Sequence, residues 1–120
     1  MGINNLTDEV ILVDLPSEGQ LRSDELKAVN EVVSKKNDSD ILIDFFKVEI
    51  MNSWDISNLL ILQKLLKEAG HKLVLFNMAN VTKFIFVTAG LGEAFTFAEN
   101  KTDALEALCK AVSTPKVSSR

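Results

Sequence analysis

Few side chains in this sequence are equipped for chemistry of their own. There is one histidine, His71, and one cysteine, Cys109, so an internal disulfide is excluded and a zinc site of Cys and His ligands cannot be assembled. His71 follows Gly70 where a helix is expected to give way to a strand, and its expected role is that of a solvated turn residue. The phosphate loop GxxxxGKS/T, the dinucleotide turn GxGxxG, the metal motif HExxH and the nucleophile elbow GxSxG are all missing from the sequence. A phospho-accepting aspartate site would want clustered acids at one strand's end, an acceptor Asp at another's and a Lys opposite. The sequence leaves Asp14 alone at the end of its strand and puts Asp44 in the middle of another, so that site is not expected. With no nucleophile–base pair in view, the expectation is a non-enzyme with no catalytic residue, no metal and no cofactor.

The elements that must position any functional residue alternate along the chain. Residues 9–15 (EVILVDL) are short and rich in β-branched side chains, as a buried strand should be. Ser17, Glu18, Gly19 and Gln20 fit a capping box with Ser17 as N-cap. Leu26, Val29, Val32 and Val33 follow at helical spacing, with Lys27, Glu31, Lys35 and Lys36 on the wet side. Residues 41–46 (ILIDFF) and 72–76 (KLVLF) are near-continuous apolar runs, which points to parallel strands in a covered sheet. Between them residues 56–69 form a helix closed by Gly70. A shorter helix over 82–88, a strand over 94–97 (AFTF) and a helix capped by Asn100 and Asp103 complete the pattern. Residues 2–6 can add an edge strand. The expected fold is α/β, a single domain over 1–112, with a small, mixed but mostly parallel sheet of four to five strands and three to four helices. Residues 113–120 are expected to be a flexible tail.

Composition narrows the function classes. A chain of 120 residues and 13.3 kDa suits one domain, and 47% hydrophobic with 25% charged residues argues against disorder. Lys and Arg number 13 against 17 Asp and Glu, a net charge of -4; a nucleic-acid binder needs a concentrated basic face, which this balance disfavours. No apolar run is long enough to insert in a membrane and no signal peptide opens the sequence, so the expected location is the cytoplasm.

From Ile41 to Leu108 the order and spacing resemble the STAS domain, the fold of bacterial anti-sigma-factor antagonists. The residues that carry the resemblance are the strand ILIDF, Val48, the run Ile50-Met51-Asn52-Ser53 leading into a long helix, Gly70, the strand KLVLFN, Ala89-Gly90-Leu91, Phe97 and Thr102-Asp103-Ala104-Leu105. The segment entering the second helix in that family usually reads Asp-Ser-Ser/Thr-Gly, and its first Ser or Thr is phosphorylated by a partner kinase. Ser53 falls on that acceptor position, while Asn52 replaces the Asp, Trp54 the second hydroxyl residue and Asp55 the Gly. The resemblance implies a protein-interaction module binding an anti-sigma factor, a serine kinase or another regulatory protein through Asn52, Ser53, Trp54 and Asp55. The altered flanks carry the alternative, a scaffold subunit of another complex (stressosome-like or lipid-transport) indifferent to Ser53. A homodimer is left open.

Physical chemistry allows two roles at this helix start. Free N–H groups and the helix dipole accommodate a phosphate on Ser53, whose charge of about -1.5 to -2 would repel an acidic partner surface. Alternatively the segment is only a cap, with Asn52 and Asp55 forming a capping box. Trp54, the one tryptophan, either packs inward or anchors an interface. The helix behind it is apolar over more than one stripe (Ile56, Leu59, Leu60, Ile61, Leu62, Leu65, Leu66), the surplus being either core or partner surface. The phenylalanines near the C-terminal end, Phe84, Phe86, Phe95 and Phe97, are expected in the core.

Overall fold

The computed structural model describes residues 3–7, 10–36 and 38–113, with side chains for 10–36 and 38–108. The elements run β1 (Ile3–Thr7), β2 (Val10–Asp14), α1 (Gly19–Lys35), β3 (Asp40–Asp44), α2 (Ser53–Glu68), β4 (Leu73–Phe76), α3 (Asn80–Thr88), β5 (Thr96–Ala98) and α4 (Lys101–Ser113). The strands form one sheet in the order β1-β2-β3-β4-β5. β2 to β5 are parallel, with Leu12, Leu42, Val74 and Thr96 aligned across them, and β1 lies antiparallel on the β2 edge. Because a helix joins each parallel strand to the next, every strand-to-helix loop opens at the same end of the sheet.

The parallel strands β2 to β5 divide their side chains between two cores. Val13, Ile41, Ile43, Leu73 and Leu75 meet Leu26, Val29 and Val33 of α1, Leu59, Leu62 and Leu66 of α2, and Phe86 of α3. On the other face Leu42, Val74 and Phe76 pack against Ala104 and Leu108 of α4. Helices on both faces explain why β3 and β4 read as unbroken apolar runs instead of alternating with polar residues. Phe86 is the aromatic hub of the larger core, meeting Phe95 and Phe97 edge-on at centroid distances of 5.4 and 5.7 Å.

α2 ends as its sequence predicts, with Gly70 at φ 80° just past the cap. A Cβ there would meet nothing within 4 Å, so only the left-handed backbone is at stake. Gly70→Ala should therefore lower stability by about 1 kcal/mol, read as a shifted urea midpoint with an unchanged denaturant slope.

Several expectations are corrected. The cap of α1 is Glu18, whose carboxylate accepts the Leu21 N–H at 2.8 Å; the helix begins one residue too late for Ser17 to serve, and Gln20 donates to Asp24 instead. Val32 is exposed because it lies off the stripe of Leu26, Val29 and Val33. Phe84 is also exposed, with Val81 and Val87, along the outer side of α3. The last strand covers Thr96–Ala98 instead of 94–97, since Ala94 belongs to a turn and Phe95 turns into the core. Asp44 ends β3 instead of sitting within it. His71 does occupy the turn after Gly70, but it is half-buried with Nδ1 3.3 Å from Asp40. The Cys109 side chain and residues 114–120, which hold all of the expected tail but Ser113, lie outside the described residues. Ser113 itself closes α4.

Candidate functional site

The loop between β3 and α2, residues 45–52, is folded as a platform. Phe45, Val48 and Met51, three residues apart, are buried in the larger core. The residues between them face out: Phe46 is 77% exposed and Ile50 73%. One end of the loop is tied by Asp44, whose Oδ1 accepts the Phe46 N–H at 2.9 Å and the Asn77 amide at 3.1 Å. The Val48 N–H donates to the Phe45 carbonyl at 2.9 Å. Asn77 sits at φ 59°, a conformation that Asn tolerates better than most side chains.

At the other end the loop becomes α2 through a complete capping box. Asn52 Oδ1 accepts the Asp55 N–H at 2.9 Å, and Asp55 Oδ2 accepts the Asn52 N–H at 3.1 Å. Ser53 is thus the first residue inside the helix and is exposed; among the described residues its hydroxyl has no hydrogen-bond partner. Trp54 follows and is 69% exposed, which decides between its two readings in favour of the outward one. Phe46, Ile50 and Trp54 are therefore exposed on the same loop and helix start that carry the Ser53 hydroxyl. Large apolar side chains left open on one loop and the helix start it leads into are candidates for an interaction surface.

Asp55 behaves differently from its neighbours. It was expected among the residues a partner would touch, but it is 0% exposed. Its Oδ2 accepts Arg22 Nε at 2.8 Å, and Arg22 Nη2 lies equally close. Its Oδ1 is buried without a partner among the described residues. The acid at the position where the resembling family has Gly is therefore neutralised from below and adds no bulk to the outer surface. Arg22, 3% exposed, also donates to the Ser17 carbonyl at 2.9 Å and the Ile50 carbonyl at 2.8 Å. The sequence reading did not single out this arginine. Its signal was there: Arg22 shares the inward stripe of Leu26, Val29 and Val33, where a cation requires a buried acid.

The two acids at the strand ends are closer than the sequence implied. Asp14 and Asp44 are register partners on β2 and β3, and Lys47 reaches to 3.6 Å from Asp14. Asp44 is spent on Phe46 and Asn77, and among the described residues no three His, Cys, Asp or Glu side chains are grouped to hold a metal ion. The cluster shapes the loop. The α2 surplus divides: Ile56 and Leu65 are part of the core, whereas Leu60 and Ile61 are exposed.

No protein-family model and no curated protein matches the sequence. Solved structures match nearly its whole length. An RsbS variant from Moorella thermoacetica superposes with a TM-score of 0.76 at 16% identity, over 89% of this chain and 92% of that one. An anti-sigma-factor antagonist (STAS) domain protein from Planctomyces limnophilus gives 0.73 at 18% identity, over 92% and 100%. This chain has the STAS fold. The Bacillus cell-fate determinant SpoIIAA in its phosphorylated form shares that fold at a TM-score of 0.68 and 18% identity, over 88% and 96%, as does a chain in the stressosome. The mixed sheet and the helices on its two faces agree with the STAS architecture that the spacing of residues 41–108 resembled. Among the described residues no helix is long and apolar enough to cross a membrane.

Proposed function

We propose that this chain is a non-enzymatic regulatory module of the STAS type, acting in the cytoplasm by docking an anti-sigma factor or serine kinase on the surface made by Phe46, Ile50, Ser53 and Trp54. The observation that carries the reading is the exposure of those three apolar side chains on the loop and helix start that also expose Ser53. Phosphorylation of Ser53 releases the partner. The helix N-terminus can hold the phosphate locally, so the fold is kept while about -1.5 to -2 charge enters an apolar contact zone. Because Arg22 neutralises Asp55, the unmodified helix start carries little charge of its own. The modification is therefore a large relative change.

A second reading keeps the surface and drops the switch. The Asn52–Asp55 capping box closes without Ser53, so a scaffold subunit of a larger assembly, stressosome-like, is also served by this geometry. The two readings separate on one substitution. Immobilised wild type and Ser53→Asp are exposed to lysate of the source cells, and retained proteins are identified by mass spectrometry. The switch reading expects a kinase or anti-sigma factor that wild type holds and Ser53→Asp loses. Equal retention of the same proteins by both forms makes Ser53 a bystander and leaves the scaffold.

A further inference from the structure

We infer that Arg22 is the positioning residue of the docking surface: its guanidinium holds the Ile50 segment and the start of α2 in the arrangement that presents Ile50, Ser53 and Trp54. The inference rests on the docking reading above and assigns a task to a residue that touches no partner itself.

Arg22 reaches three separate stretches of chain. Nη1 donates to the Ser17 carbonyl in the β2–α1 loop, Nη2 to the Ile50 carbonyl in the β3–α2 loop, and Nε to Asp55 on α2. Among the described residues, the backbone between Val48 and the cap at Asn52 has no other hydrogen bond than the one from Arg22 to Ile50. Asp55 Oδ2 passes the constraint onward, because the oxygen that takes Arg22 Nε also takes the Asn52 N–H. One side chain therefore fixes Ile50, the last exposed residue before the cap, and the cap itself. Only a planar fork of several donors can do this, and lysine, a single compact charge, cannot. A docking surface preorganised in this way avoids the entropy of ordering its loop when the partner arrives.

Arg22→Lys tests the inference, since it keeps a cation beside Asp55 but cannot serve both carbonyls. Leu108→Ala, in the core on the opposite face of the sheet, is the control for general loss of stability. Amide hydrogen exchange under native conditions is the readout. Exchange at the Asn52 and Asp55 amides, whose N–H groups close the capping box that Asp55 shares with Arg22, should rise at least about tenfold in Arg22→Lys, with β3 and β4 changed no more than in Leu108→Ala. Unchanged exchange at these amides, or a rise spread evenly over them and the sheet, overturns the inference, because Arg22 would then be only a structural residue. If Arg22→Lys fails to fold, Arg22→Met with Asp55→Asn removes both charges together and is read in the same way. The partner retained by wild type in the Ser53→Asp experiment should bind Arg22→Lys at least about tenfold more weakly and Leu108→Ala normally; equal binding despite a loosened loop also overturns it. If wild type retains no partner at all, the docking reading fails, while the exchange result still decides whether Arg22 orders the loop.

Discussion

Asp55→Ala should lower folding stability by about 3–5 kcal/mol, because it strands a buried arginine charge. Arg22 and Asp55 are 3% and 0% exposed, so water cannot replace the lost carboxylate. The same substitution removes one half of the capping box. Arg22→Met with Asp55→Ala should recover most of the loss, since a buried ion pair taken away as a pair has little net effect on stability. Equilibrium urea unfolding of the wild type, both single variants and the double variant makes the cycle. A loss below about 1 kcal/mol for Asp55→Ala would mean that the pair is hydrated in solution and is not the buried bond described here.

Trp54→Ala should do the reverse, sparing the fold and damaging the interaction. A side chain 69% exposed has little packing to lose, so the unfolding midpoint should stay within about 0.5 kcal/mol of wild type. As an interface anchor the indole should be worth at least about 2 kcal/mol, or roughly thirtyfold in affinity. Titration of the captured partner by calorimetry, beside the unfolding curve, separates the two effects. Unchanged affinity would move the contact away from α2's first turn.

The alternation of elements was legible because apolar runs and caps are local signals. β3 and β4 announced themselves as unbroken apolar segments, and Gly70 and Asn100 marked helix ends that the structure keeps. The errors have a common physical source, namely that one residue of offset decides which way a side chain faces. Ser17 sits one position too early to cap α1, and Asp44 moved from mid-strand to strand end because the chain turns away at Phe46, whose N–H bonds back to the Asp44 side chain. At the site, the capping box could be read from Asn52 and Asp55 alone. That Asp55 is buried could not, because its partner lies 33 positions away in the sequence on another helix. Nor could local pattern tell which of two adjacent phenylalanines is core; Phe45 is buried and Phe46 exposed only because of the turn after β3. The STAS resemblance supplied the candidate serine, and the structure added the exposed apolar side chains of the same loop and helix start and the buried arginine that ties them.

The most direct test of the account is the footprint of the captured partner on this chain, read by amide hydrogen exchange with and without it. The account predicts protection over residues 46–54, with the outer side of α3 at Val81, Phe84 and Val87, another exposed apolar stripe, left unchanged. Protection confined to α3, with 46–54 exchanging as in the free protein, would contradict it and place the docking surface on that helix.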